Sequence, residues 1–354
     1  MKKVISILCC VVFLSGCWDE RLNKNIAIVP MIGFDGELGS LTGYFGIPGK
    51  QQNMSNFNLL MAEGQSVEEV RQKIDTQVNE GVDLSKLGSI LISDQLAEKD
   101  LYSLLDLYYR NARNRLNAML IITEGSAEPF IQYGQKISVE VNDYYPMLLE
   151  GFTLKSVVPH TDLQLACSIL LDEGIDLVLP YLKISSENDV PELVGLALFD
   201  SGNFTGEILN IDESIILNVM RDDLNKYAYI TYMEEKIPLT ISIKKVKRKM
   251  HWDGETIGLD YQLKVSIMEY YKNNFKDKNT RLKLEKSLEE KITSQMESNI
   301  KILLDANSDA LGLGRIARAF HPKLFQEGKW NEIYPTLTIT PTVQVKITDT
   351  GILD

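Results

Sequence analysis

The chain has 354 residues, more than one small core accommodates, so two or three domains are expected. Hydrophobic residues make up 44% and charged residues 24%, a globular balance that excludes a disordered chain. The formal net charge of −12 argues against a nucleic-acid partner and against a general electrostatic grip on anionic lipid.

The first predicted element is an export signal. Lys2 and Lys3 precede an apolar run over residues 4–14 (VISILCCVVFL). A helix of that length spans about 16 Å, too short for roughly 30 Å of hydrocarbon, so it reads as a signal peptide and not a transmembrane helix. Leu14-Ser15-Gly16-Cys17 closes it in a lipobox pattern. The Cys17 thiol is expected to carry a diacylglyceryl group, with cleavage before it. Acyl chains of palmitate type at ~0.8 kcal/mol per methylene give roughly 24 kcal/mol gross for two, enough to anchor. Cys9 and Cys10 leave with residues 1–16, so only Cys167 remains, without a disulfide partner and expected in the core.

Residues 17–25 read as a lipidated tether. Residues 26–34 read as a strand, Asp35-Gly36 as a turn and residues 40–47 as a second strand. Ser66-Val67-Glu68-Glu69 is a capping box opening a helix with Val67, Val70, Ile74 and Val78 on one face, stopped by Gly81. Residues 88–93 (GSILIS) and 117–123 are short buried strands; 94–110, 127–134 and 163–172 read as helices. Residues 175–182 are extended, with Pro180 marking an edge or exit. This alternation indicates a mixed α/β layer. The polar stretch at 185–191 is the expected domain boundary.

The second half changes character. Residues 195–199, the turn Asp200-Ser201-Gly202-Asn203 and the strand after it form a hairpin, and 211–225 reads as a helix. Residues 239–243 alternate strictly and slip at Lys244-Lys245, a bulge signal. After Asp253-Gly254, Ile257, Leu259, Tyr261, Leu263, Val265 and Ile267 alternate as in a half-buried antiparallel strand; Leu337, Ile339, Val343, Val345 and Ile347 mark the last one. Between them Leu288, Ile292, Met296, Ile300 and Leu303 form the stripe of the longest helix, expected to pack on its own sheet. The fold class is therefore α+β: a mixed N-terminal α/β layer over 26–187, then a C-terminal α+β domain over 188–354, which can divide near 236, with a largely antiparallel sheet packed with a long helix.

No catalytic pattern emerges. His160, His251 and His321 are far apart in sequence and lack metal-ligand spacing. CxxC, GxxxxGK[ST] and GxSxG motifs are missing. Gly312-Leu313-Gly314-Arg315-Ile316-Ala317 matches G-x-G-x-x-A but follows a helix instead of a strand, so it reads as a helix-to-helix turn. The basic run at 244–249 could face lipid headgroups; a charged strand edge is the plainer reading. Catalytic, metal-binding and cofactor-binding residues are accordingly not expected, and the chain is expected not to be an enzyme.

Gly16-Cys17-Trp18-Asp19 and Ile26-Ala27-Ile28-Val29 resemble the opening of the Ger(x)C family, the lipoprotein C subunits of nutrient germinant receptors in bacterial spores. The likeness continues at 88–93, at Gly174-Ile175-Asp176 and at Leu179-Pro180. Near the end, Asp309-Ala310-Leu311-Gly312-Leu313-Gly314 is similar to the family's D-x-x-G-x-G turn, followed by His321-Pro322, Trp330, Tyr334-Pro335 and Gly351. The resemblance implies Cys17 as the lipid site, the outer face of the spore inner membrane as the location, and integral membrane A and B subunits as partners. It supplies no catalytic residue. It makes this chain a subunit required for nutrient-triggered germination that acts by docking to membrane subunits. The alternative is the solute-binding lipoprotein of a transporter, which would show two doubly wound lobes; a cell-wall enzyme is a third.

Overall fold

The apolar runs become strands of two large sheets. The computed structural model describes residues 26–48, 57–79, 81–110, 114–136, 144–252, 256–272, 277–323, 325 and 329–350. An eight-stranded sheet has the order β10-β9-β8-β7-β6-β2-β3-β4. Its members are β2 (Met31–Glu37), β3 (Ser40–Pro48), β4 (Phe57–Gly64), β6 (Ser89–Ser93), β7 (Met119–Thr123), β8 (Val178–Ile184), β9 (Pro191–Asp200) and β10 (Asn203–Asn210). β2, β6, β7 and β8 run parallel, and the outer strands are antiparallel. A small parallel pair, β1 (Ile26–Ile28) with β5 (Gly81–Asp83), lies outside it.

Both faces of this sheet are covered, which is why β6 reads SILIS with every residue buried. One face carries α1 (Val67–Asp75), α2 (Asp94–Ala97), α3 (Leu101–Arg110) and α6 (Leu163–Leu170), packed on Phe34, Phe45, Ile90 and Ile122. The other carries α4 (Glu128–Lys136) and α5 (Tyr144–Leu154), packed on Met31, Leu91 and Ile121. That second core runs on without a break into the rest of the chain.

The C-terminal sheet has the order β11-β12-β13-β14, from β11 (Tyr229–Glu234), β12 (Ile237–Trp252), β13 (Thr256–Glu269) and β14 (Thr338–Asp349). It is antiparallel except for β13–β14, the pair joined through the 28-residue α8 (Lys278–Asp305). Leu288, Ile292, Met296, Ile300 and Leu303 are all buried, so the stripe packs inward as expected. Between the two sheets lies α7 (Ile211–Met220), buried from Ser214 to Met220 and therefore apolar nearly all round. Asn210 and Glu213 form its capping box.

Several expectations are adjusted. The turn expected at Asp35-Gly36 falls at Leu38-Gly39, because β2 and β3 stay paired to Glu37 and Ser40. Asp35 instead accepts the Ala127 N–H at the start of α4. Ser66 caps α1 by accepting the Glu69 N–H, while Glu69 reaches back to the Gln65 N–H, one residue before the cap. Residues 94–110 form two helices, and 211–225 is helical only to Met220. Pro180 is not at an edge: β8 lies between β7 and β9, and its ladder with β7 begins at Tyr181, just past the missing N–H. The polar stretch at 185–190 is the β8–β9 hairpin turn, so β9 and β10 complete the first sheet, and Glu235-Lys236 is the β11–β12 turn. Cys167 is half-buried, not a core residue. The bulge is found where the alternation slips, between Ile243 and Lys245, and Ser201-Gly202 is the expected hairpin turn. The turn at Asp253-Gly254 lies outside the described residues.

Candidate functional site

Three segments distant in sequence meet where the first sheet joins the C-terminal part. They are residues 172–176 leading into β8, the β9–β10 turn at 200–202, and residues 307–318 with 330–334 after α8. Asp309 is at the centre and fully buried. Its carboxylate accepts the N–H of Leu313 at 2.8 Å, the N–H of Gly314 at 2.7 Å and the indole N–H of Trp330 at 3.0 Å. The first two donors open α9 (Leu313–Phe320), and Gly312 turns the chain into it at φ +69°, the left-handed region that favours glycine. The G-x-G match is thus a helix-to-helix turn, as read from the sequence.

Asp176 is tied to Asp309 twice. The Asp176 N–H donates to the Asp309 carbonyl at 3.0 Å, and the Asp309 N–H donates to the Asp176 carboxylate at 2.7 Å. The other Asp176 oxygen accepts the Ser201 N–H at 2.9 Å. Asp200 accepts from the Asn307 and Asn331 side-chain amides at 3.1 and 2.9 Å. Asp172 accepts from Arg315 Nε at 2.7 Å and pairs with Arg318 at 3.0 Å. Tyr334, in the short turn after α10 (Trp330–Ile333), donates its hydroxyl to the Ser308 carbonyl at 2.9 Å.

The backbones touch as well. A Cβ on Gly314 would lie 2.6 Å from Gly174 Cα and 2.7 Å from Trp330 Nε1; a Cβ on Gly174 would lie 2.6 Å from the Arg315 nitrogen. Only two glycines permit this approach, and it lets the Arg315 N–H reach the Gly174 carbonyl at 2.9 Å.

Burial dominates the electrostatics. It pushes the Asp309 carboxyl up to about 8, with the Asp176 charge adding to the rise and the N–H donors opposing it. Burial also raises Asp176 to about 6, helped by the Asp200 charge. At Asp172 burial acts upward but is outweighed by the Gly174 N–H and by Arg315 and Arg318, so that carboxyl sits below its ordinary value. A cavity of about 460 Å³ opens beside the joint, lined in part by Leu171, Asp172, Asp176, Ser201, Trp330 and Asn331. Asp172 and Asp176, which face it, are already engaged by donors of the chain itself, so the arrangement fastens two parts of the molecule.

Gly174, Asp176, Asp309, Gly312, Gly314, Trp330 and Tyr334, singled out in the sequence as scattered points of resemblance, are thereby brought into one place. Asp172, Asp200, Arg315, Arg318 and Asn331 were not anticipated; only the Arg315–Arg318 spacing, one helical turn, hinted at a common partner. Cys17, Trp18, Asp19 and Gly351 lie outside the described residues. His160 and His251 are exposed, and the His321 ring packs at a tilt against Trp252, with ring centres 5.0 Å apart. Among the described residues no three His, Cys, Asp or Glu side chains gather as metal ligands, and no helix is long and apolar enough to cross a membrane.

Two family profiles match in tandem. The spore germination protein N-terminal domain matches residues 19–184, and the spore germination B3/GerAC-like C-terminal domain matches residues 194–351. The chain is 26% identical to spore germination protein GerQC of Bacillus cereus, with 100% of both chains covered. It is 21% identical to spore germination protein KC of Bacillus subtilis strain 168, covering 98% of this chain and 95% of that one. The crystal structure of the GerBC protein superposes with a TM-score of 0.55 at 15% identity, over 89% of this chain and 97% of that one, which shows a shared fold. The joint unites residues of both profiles: Asp172, Gly174 and Asp176 fall in the first, Asp200, Asp309, Gly314 and Trp330 in the second.

Proposed function

We propose, because the chain belongs to the Ger(x)C family of spore germination proteins, that it is the lipid-anchored C subunit of a nutrient germinant receptor. In this reading the Cys17 thiol carries the lipid, and the folded part stands on the outer face of the spore inner membrane, docked to integral membrane A and B subunits. The observation that carries the reading is the tandem family match over nearly the whole chain, with its scattered marker residues converging on one joint. A non-catalytic, interaction role is supported by that joint, where Asp172, Asp176, Asp200 and Asp309 are taken up in holding distant parts of the chain. The solute-binding alternative called for two doubly wound lobes, whereas the sheets are one mixed eight-stranded and one four-stranded.

The test compares spores lacking the gene with spores carrying Cys17→Ala, following dipicolinate release with a panel of nutrients and a nutrient-independent trigger. The expected result is selective loss with one nutrient class in both strains and normal release with the control trigger. Normal nutrient germination after deleting the gene in a strain already stripped of its other receptors would remove the receptor reading. Full germination of the Cys17→Ala spores would remove the anchor alone.

A further inference from the structure

The four-stranded sheet carries α8 on one face; on the other, where Ser242 and Ser266 are buried, exposed charge is not distributed like charge on the chain. Lys245 of β12 lies directly opposite Lys264 of β13, and Lys264 lies directly opposite Lys346 of β14. Three exposed lysines thus stand side by side at one register across three strands, about 4.8 Å apart from strand to strand. The adjacent row is Lys247, Gln262 and Gln344, and the next is Lys249, Asp260 and Thr342, where Asp260 is engaged by His251 and Thr342. The bulge at Lys244 sets this arrangement, because it shifts the register by one and brings Lys245 onto the same face as Lys264.

Like charges directly opposite each other destabilise a sheet. The chain has 49 acidic residues available, yet among the described residues no carboxylate forms an ion pair with Lys245, Lys247, Lys264 or Lys346. A depression of about 540 Å³ runs over these side chains; its one acidic lining residue, Glu289, is held by the Val345 N–H. Among the described residues this positive patch is left without an ion-paired carboxylate, which points to an external counter-charge.

We infer that this sheet face is a docking surface for the anionic headgroups of a phospholipid bilayer. An exposed lysine row across three strands matches a plane of phosphates, and the net −12 of the chain turns its other faces away from the same surface. The lysine row therefore orients the molecule instead of anchoring it. The inference rests on the anchor reading only for the nearness of a bilayer.

The test uses the full chain on vesicles of phosphatidylcholine alone and of phosphatidylcholine with phosphatidylglycerol, with lysine acylation rates read by mass spectrometry. Lys245, Lys264 and Lys346 are expected to react several-fold more slowly on the anionic vesicles, while the exposed Lys86 and Lys301, elsewhere on the surface, are unchanged. The protection is expected to vanish in about 1 M salt, where the screening length falls to about 3 Å. A Lys245→Gln, Lys264→Gln, Lys346→Gln variant is expected to bind anionic vesicles at least about tenfold more weakly, since each lysine near such a surface contributes about fivefold. Binding of the variant to neutral vesicles stays the same, and its melting temperature at low salt does not fall, because repulsion has been relieved. Equal acylation on both vesicles overturns the inference, and needs no variant. Protection seen only in membranes containing other proteins also overturns it, in favour of an acidic protein partner. Absence of lipid on Cys17 would sink the anchor and leave this result readable.

Discussion

At the scale of single residues, two glycines and one indole decide whether the joint can close. Gly174 and Gly314 meet backbone to backbone, so a methyl group on either must push apart main-chain atoms that have no rotamer to yield. Gly314→Ala or Gly174→Ala is expected to destabilise the protein by about 3 kcal/mol or more, read by urea unfolding. Gly151→Ala, in the interior of α5 with open space around it, is the control and is expected to stabilise by up to about 1 kcal/mol. Equal effects at the three positions would show that the close approach has no energetic weight. Trp330→Phe keeps an aromatic ring but removes the indole donor from the buried Asp309 carboxylate and leaves a smaller side chain in a buried site, and is expected to cost at least about 1–3 kcal/mol. The same indole packs 6.1 Å from the Tyr334 ring, so its position is fixed by packing as well as by the hydrogen bond.

At the scale of elements, α8 does more than cover a sheet. β14 is an edge strand, with amides facing outward and open to pairing with another chain. Glu289 accepts the Val345 N–H and Glu285 the Ile347 N–H, each at 2.9 Å. The match is metric: four residues of helix advance about 6 Å, and two residues of strand about 6.6 Å. A helix antiparallel to the strand can therefore offer a carboxylate to every second amide. Glu285→Ala with Glu289→Ala is expected to lower stability by about 1–3 kcal/mol and to produce concentration-dependent association, measured by sedimentation across a dilution series. A monomeric double variant of unchanged stability would show that the edge is protected by other means. The same acids look, in the sequence, like the solvated side of an amphipathic helix.

At the scale of the whole molecule, the joint makes stability depend on pH. Asp176 and Asp309 have folded-state values raised to about 6 and about 8, above the unfolded value near 4. Such groups bind protons more readily folded than unfolded, so their contribution is full below the unfolded value and is lost as pH rises through 6 and then 8. The melting temperature is expected to fall as pH is raised from about 5 to about 9, and Asp309→Asn is expected to flatten the upper part of that slope. A melting temperature that holds level or rises over the range would show both carboxyls ionised throughout, held so by their N–H donors. Because the two acids are bonded to each other's backbone and belong to different family domains, their titration is a property of the junction between the halves.

Chain periodicity alone determined the local elements. Alternation marked β13 and β14, continuous apolar runs marked β6 and β7, the four-step stripe marked the buried face of α8, and a slip at Lys244-Lys245 marked a bulge. These are short-range consequences of where a side chain points, and they are written in residue spacing. The family was legible too, since its marker residues keep their order along the chain. Tertiary structure decided which elements share a sheet, moving β9 and β10 to the first sheet because hydrogen bonds, not composition, set strand neighbours. It also decided that Asp172, Asp176, Asp200, Asp309 and Trp330 form one joint, and that Lys245, Lys264 and Lys346 form one row. Contacts between residues from 19 to 143 positions apart depend on register and layer packing, which no local pattern encodes.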